Sequence, residues 1–394
     1  MSQTDVVFLS GARTPIGSFG GALKDVPPTA LGAHAAKAAI ARAGVAPEDI
    51  GHTVFGHVIH TEPRDMYISR VAAMEAGVPK EVPAMTVNRL CGSGLQAIVN
   101  AAQLIKLGDA SIALAGGAES MSRGGYLMPQ LRWGQRMGNA AAVDMMVGVL
   151  TDPFGHGHMG VTAENVSERY QISREDQDAA AVESHRRAAQ AVAAGVFVEQ
   201  IAPVEVTTRK GPVVFDTDEH FRIDASLDGM AKLRPMFKKD GTVTAGNASG
   251  INDGGAAVVL ADAAEAGRRG LAPLARLVSY ALAGVDPSEM GMGPVPAVQA
   301  ALTKAGLAVG DIDVIESNEA FAAQACAVSH ALGFDPAKVN PNGGAIALGH
   351  PVGATGAILA IKTIYELRRS GGRYGLITMC IGGGQGIAMI VERL

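Results

Sequence analysis

The chain has 394 residues, of which 48% are hydrophobic and 18% charged, with a formal net charge of -5. That length and balance describe two or three well-buried domains and exclude a disordered chain. The acidic balance excludes nucleic acid and membrane surfaces as the main partners. Three cysteines make no disulfide framework, so the reducing cytoplasm is the expected compartment.

The N-terminal stretch MSQTDVVFLSGARTP carries no basic n-region or long apolar h-region and reads directly as a strand. Next comes AAIARAGVAPEDIGHTVFG (38–56), a helix stopped by Ala-Gly, an acidic turn and an apolar strand. At Asn88–Ile105, NRLCGSGLQAIVNAAQLI sets Cys91 immediately before a Gly-Ser-Gly turn that opens an apolar helix. A free cysteine is most often a buried, inert hydrophobe. At a helix entry, however, unsatisfied N–H groups and the positive dipole end favour a thiolate, and glycines admit a ligand to the backbone. The strand SIALAGG follows.

About 125 residues then intervene before the chain reaches Asn252-Asp253-Gly254 and the strand-like GAAVVLADAAEAGRRG. This insert contains SRGGYLMPQLRWGQRMG (122–138), which holds the only tryptophan, and GHGHMG (155–160). The latter offers a His-x-His pair without an evident third metal ligand, so no metal is expected. A helix with a capping pattern at Ser173 is predicted to run to Gly195.

The second half echoes the first. AALTKAGLAVGDIDVIESN (300–318) repeats the pattern of 38–56 at a separation of 262 positions, and the same separation pairs Gly94 with Gly356. Each of these glycines precedes an apolar helix and then a strand ending in glycines, SIALAGG in one half and YGLITMCIGGG in the other. The chain therefore consists of two related α/β halves, each a mixed sheet covered by helices. The expected boundaries are 1–120 with 246–270 for the first half, 121–245 for an inserted α-rich loop domain, and 271–394 for the second half.

The loop equivalent to Asn88–Cys91 is GHPVG, which contains His350. If the halves pack about a pseudo-twofold axis, both helix-entry loops face one pocket, where His350 can take and return the thiol proton. In TMCIGGGQG (378–386), Cys380 ends a strand before three glycines. The segment after them reads as a strand, which argues against a dinucleotide-binding loop. A second thiol beside open backbone N–H groups suits acid–base work near an oxyanion hole. Asn318 and Glu319 end a buried strand, where a polar pair is costly unless used or bonded. Cys326, within AFAAQACAVSHAL, reads as core packing.

Taken in order, NRLCGSGLQAI, AGGAESMS, HMGVTAENV, TAGNASGINDGGAA, NEAFAAQ, NPNGGAIALGHPVGATG and CIGGGQG make the chain resemble the thiolase family over nearly its whole length, within it the acetyl-CoA acetyltransferases or β-ketothiolases. The resemblance implies two βαβαβαββ halves with an inserted loop domain. It implies reversible Claisen condensation and thiolysis of short-chain 3-ketoacyl-CoA, acetoacetyl-CoA and the longer 3-ketovaleryl-CoA among them, by a ping-pong route through acyl-Cys91. His350 would activate Cys91, and Cys380 would move the α-proton of the second acyl-CoA. Asn318, through a water, and His350 would form one oxyanion hole, with the N–H groups of Cys91 and Gly382 forming the other.

By the same resemblance His158, Met159, Ala245, Gly246 and Ser249 line the pantetheine channel, and Arg222 meets the nucleotide phosphates. Leu233 and Phe237 flank the adenine or pantetheine, while Met290, Ala320 and Phe321 meet the acyl end. Gly229 stands where relatives commonly carry serine, which removes a side-chain contact near the adenine. Coenzyme A thioesters are then substrates and no separate cofactor is implied. Segment 122–138 would join dimers into a homotetramer. Two alternatives remain at this point: a ketoacyl-synthase-like condensing enzyme, against which Cys380 argues, and a catalytically silent CoA- or lipid-binding protein.

Overall fold

The computed structural model describes residues 5–394, so the first four residues of the N-terminal segment lie outside it. In chain order the framework strands are β1 (Val6–Arg13), β2 (His52–Gly56), β3 (Ala84–Val87), β4 (Ile112–Ser120), β5 (Asn252–Asp262), β6 (Ala275–Gly284), β7 (Val314–Ser317), β8 (Tyr374–Ile381) and β9 (Gln385–Arg393). The principal helices are α1 (Pro28–Ala43), α2 (Ile68–Glu75), α3 (Ser93–Leu107), α4 (Met159–Tyr170), α5 (Arg174–Ala193), α6 (Pro294–Ala305), α7 (Ala322–Leu332) and α8 (Thr355–Ser370).

The strands join in the order β7-β8-β9-β6-β1-β5-β4-β2-β3, with the short strand Gly17–Ser18 added beside β5. The two half-sheets are thus continuous, linked where Val7 and Phe8 of β1 pair with Arg276 and Ala275 of β6. Pairing is parallel for β2 with β3 and β4 and for β7 with β8, and antiparallel elsewhere along this path. The alternating βα order predicts such mixed sheets.

The repeat extends to single hydrogen bonds. Gly44 and Gly306 both end their helices with a left-handed backbone, at φ 67° and 66°. The acidic turns that follow are matched, with Asp49 accepting the Ala46 N–H and Asp311 the Ala308 N–H, each at 2.8 Å. The halves differ at their third strand. Where the first half has β3, the second has only an isolated bridge between Val339 and Ile315. Pro336 and Pro341 flank that position, and proline cannot donate to a ladder.

Helices α3 and α8 pack on each other between the half-sheets, α1 and α2 cover the far side of the first, and α6 covers the far side of the second. The middle layer is apolar on almost every side: Leu95, Ile98, Ala357 and Ile361 are all fully buried in one cluster with strand residues of both halves. Truncating such a side chain costs about 2–5 kcal/mol. The helices approach so closely because they meet at glycines. A Cβ on Gly356 would sit 2.2 Å from the Leu95 nitrogen, and one on Gly94 would sit 2.9 Å from the Ala357 nitrogen.

Between β4 and β5 lie α4, α5 and the hairpin Val204–Thr208/Gly211–Phe215. Ser173 caps α5 by accepting the Asp176 N–H, and Asp176 in turn bonds the Ser173 hydroxyl and N–H. This segment is moored by buried polar contacts. Arg13 meets Asp218 through two hydrogen bonds of 2.7 and 2.9 Å, and Asp178 accepts the Asn247 amide at 2.9 Å. No described helix is long and apolar enough to cross a membrane.

Candidate active site

Cys91 lies in the tight link between β3 and α3. Asn88 accepts the Leu90 N–H, and Ser93 accepts the Arg89 N–H while donating to the Leu90 carbonyl. These bonds hold Leu90 at a positive φ of 43°, a conformation that a leucine adopts only under such local constraint. A Cβ on Gly92 would sit 2.5 Å from the terminal methyl of Ile381 and would have to displace it.

The second half supplies the facing groups. His350 follows a short helical turn, Ala345–Leu348, and its backbone N–H donates to the side-chain Oδ1 of Asn252 at 2.9 Å. Asn318 follows β7, Cys380 lies near the end of β8, and Gly382 begins the turn into β9. A cavity of about 50 Å³ is walled by Cys91, His350, Cys380, Gly382, Met159, Ser249, Met290, Ala320 and Phe321, with Val58, Leu90, Val149, Leu150 and Val352 completing it. The Gly382 backbone lies close enough to the Cys91 sulfur to favour its ionised form. Asn318 stands behind this wall, its amide nitrogen 3.5 Å from His350 Nε2.

His350 has an assignable tautomer. Thr355 spends its hydroxyl proton on the Pro351 carbonyl at 2.9 Å, so it accepts from His350 Nδ1–H at 2.7 Å. That leaves Nε2 as the basic nitrogen facing Asn318. Burial holds His350 well below the ordinary histidine range, at about 4.

The helix-entry position favours a thiolate at Cys91, but burial wins. Although part of Cys91 faces the cavity, the protein around it pushes its thiol up to about 11, with Glu119 adding to the rise and the Gly382 N–H opposing it. Burial also raises Cys380, with the neighbouring Cys91 as the second cause. The resting site therefore holds two thiols and a neutral imidazole.

Outside this cavity a larger groove of about 420 Å³ is lined by Arg222, Leu233, Ala245, Gly246, Gly229, Met230, His185 and His220 among others. His158 and Phe237 lie on neither wall; their rings stack at 4.8 Å, and Phe237 meets Phe321 edge-on at 6.3 Å. His158 Nδ1 accepts the Gly160 N–H at 3.0 Å as the cap of α4. That leaves Nε2–H free to donate and takes Nδ1 away from any His-x-His metal pair. Cys326 is half-buried on α7, away from the cavity of Cys91, with burial pushing its thiol up to about 12.

The sequence reading overlooked Thr355 and Asn252, which orient His350, and the aliphatic walls Val58, Val149, Leu150 and Val352. An aliphatic wall carries no chemical signature in sequence. Thr355 had one available signal, a hydroxyl five residues after the histidine at the next helix entry.

Residues 6–264 match the family model for the thiolase N-terminal domain, and residues 271–393 that for the thiolase C-terminal domain. The chain is 66% identical over 391 residues to beta-ketothiolase BktB of Cupriavidus necator, covering 99% of each. It is 52% identical to an acetyl-CoA acetyltransferase of Chromobacterium violaceum, covering 99% of this chain and 100% of that one. Among solved structures, human mitochondrial 3-ketoacyl-CoA thiolase superposes with a TM-score of 0.98 at 45% identity over the full length of both. The same human enzyme in complex with CoA superposes at 0.97 and 44% identity, covering 100% of this chain and 98% of that one.

Proposed function

Since the chain belongs to the thiolase family and is an acetyl-CoA acyltransferase, we propose how its residues divide the reaction. The observation that carries the reading is the meeting of Cys91, His350, Cys380 and Gly382 on one narrow cavity.

In the condensing direction, His350 Nε2 takes the Cys91 thiol proton as sulfur attacks the first acyl-CoA. The carbonyl oxygen becomes negative and is held by the N–H groups of Cys91 and Gly382. As the C–S bond to coenzyme A breaks, Cys380 gives its proton to the departing thiolate. Acyl-Cys91, imidazolium and a Cys380 thiolate remain. That thiolate removes the α-proton of the incoming acetyl-CoA, and the enolate oxygen is held by His350 Nε2–H and, through a water, by Asn318. The unpartnered Asn318 Oδ1 is the atom that would orient such a water. Enolate carbon attacks the acyl carbonyl, and Cys91 leaves with the proton from His350. One 3-ketoacyl-CoA and one coenzyme A have formed, with every proton returned; thiolysis is the reverse.

The acyl substrates proposed are short, acetoacetyl-CoA and 3-ketovaleryl-CoA. Met159, Ser249, Met290, Ala320 and Phe321 surround the acyl and pantetheine end, while His158, Phe237, Leu233, Ala245 and Gly246 lead outward to Arg222. The proposed assembly is a homotetramer joined through 122–138. Supporting this, Tyr126, Leu131, Trp133 and Met137 of that segment are all exposed, Trp133 to 90%. A cytoplasmic setting fits the three unpaired cysteines.

The test is intact-protein mass after brief mixing with acetyl-CoA, followed by peptide mapping. The expected result is an acetyl adduct on Cys91 that free coenzyme A removes. An adduct elsewhere, or none with coenzyme A still bound, overturns the assignment.

A further inference from the structure

Behind the catalytic cavity lies a buried polar cluster that the reaction scheme leaves unused. Glu119, on β4, is fully buried, yet no lysine or arginine among the described residues pairs with it. Its Oε2 accepts the Val58 N–H at 3.1 Å and the Gly353 N–H at 2.9 Å, and its Oε1 accepts the Ile59 N–H at 3.0 Å. His57 Nδ1, which donates to the Ala118 carbonyl at 2.9 Å, lies 3.3 Å from the same Oε1. Burial pushes the Glu119 carboxyl up, but the three N–H groups pull against that rise, and with only donors facing its oxygens the carboxylate is the form that this pocket fits.

The donors come from both halves of the molecule. Val58 and Ile59 follow β2 in the first half, and Val58 forms cavity wall; Gly353 belongs to the loop of His350, and its neighbour Val352 forms the facing wall. The fit leaves no slack, since a Cβ on Gly353 would sit 2.5 Å from Glu119 Oε2 and 3.1 Å from the His57 Cα. A carboxylate is the one side chain able to accept at both ends, and here Oε2 accepts two N–H groups and Oε1 a third.

We propose that Glu119 is a positioning residue for acyl transfer, clamping the Val58–Ile59 loop to the His350 loop so that base and cavity wall keep a fixed spacing from Cys91. His57 backs the clamp, its Nδ1–H anchored on the Ala118 carbonyl beside Oε1. Its other nitrogen, Nε2, faces Asp65 at 4.0 Å without a hydrogen bond, so the Nδ1–H tautomer is the one this cluster uses. The inference rests on Cys91 and His350 acting as described above.

Glu119→Gln tests it, because the amide keeps the shape but turns one acceptor into a donor aimed at other donors. The expected result is a kcat for acetoacetyl-CoA thiolysis lowered tenfold or more, a KM for coenzyme A within twofold of wild type, and slower single-turnover appearance of acetyl-Cys91. A kcat within twofold of wild type overturns the proposal, as does a rise in KM that accounts for the whole loss. Should Glu119→Gln fail to fold, His57→Asn and His57→Leu decide. Asparagine restores a donor near Nδ1 and leucine does not, so kcat should fall at least fivefold further in the leucine variant. Equal kcat in the two overturns the clamp. Failure of the catalytic reading would show separately, as wild-type protein that forms no adduct on Cys91.

Discussion

Thr355 Oγ1 accepts the Nδ1–H of His350 at 2.7 Å while its own hydroxyl donates to the Pro351 carbonyl at 2.9 Å. The threonine thereby selects which imidazole nitrogen is basic. Thr355→Val removes that acceptor with little change in volume. A loss of about tenfold in kcat is expected, roughly 1.4 kcal/mol of barrier, with KM nearly unchanged. Steady-state thiolysis kinetics would check this; unchanged kcat would show that the tautomer is fixed without Thr355.

The Cys91 thiol, pushed up to about 11 by burial, predicts a particular reactivity in the absence of substrate. The thiolate fraction of such a group grows about tenfold per pH unit throughout the neutral range. Carbamidomethylation of Cys91 by iodoacetamide, followed by peptide mass, should therefore rise steadily from pH 7 to pH 10. A rate that levels off below pH 8 would mean that the resting Cys91 thiol is already ionised.

His350 predicts how stability responds to acid. Its folded value, about 4, lies below the ordinary histidine value of about 6.5. The unfolded chain therefore takes up a proton first as pH falls. The contribution is complete above about pH 6.5 and is lost as pH falls from there through the folded value, to the extent of ~3 kcal/mol. His350→Gln should show a shallower loss of denaturation midpoint between pH 6.5 and pH 4 than the wild type does. Parallel curves would refute the assignment.

Arg222 lines the outer groove with Leu233, Ala245 and Gly246. If it meets the nucleotide phosphates, Arg222→Ala should raise KM for coenzyme A by about three- to tenfold, the range of one exposed charged contact. The kcat should hold. A truncated thiol acceptor that lacks the nucleotide, such as N-acetylcysteamine, should not distinguish the variant from wild type. Equal losses with both acceptors would place Arg222 outside phosphate recognition.

The juxtaposition of Cys91 and His350 was legible in the sequence because the halves repeat at one fixed spacing, and equivalent loops of a pseudo-twofold meet. Cys380 and Gly382 were legible as a thiol at a bare strand end. The missing third strand of the second half was not, because AKVNPNGG still looks extended, and only the pairing partners reveal that it makes a single bridge. Nor was the state of the Cys91 thiol. The dipole argument can be read from a helix start, whereas the opposing burial depends on residues as distant in sequence as Glu119 and Gly382. The clamp around Glu119 was hidden for the same reason, since its donors are backbone N–H groups that any residue but proline supplies.

The contact between Gly94 and Gly356 has an evolutionary consequence. In most crowded cores a larger residue at one site can be accommodated by a smaller one opposite. Here each glycine faces main-chain atoms of the other copy, the Leu95 nitrogen on one side and the Ala357 nitrogen on the other. Main chain cannot be trimmed, so neither position has a neighbouring second-site suppressor. After the duplication that the repeat implies, the two copies could diverge until one loop carried Cys91 and the other His350, but at this crossing each is held to a glycine.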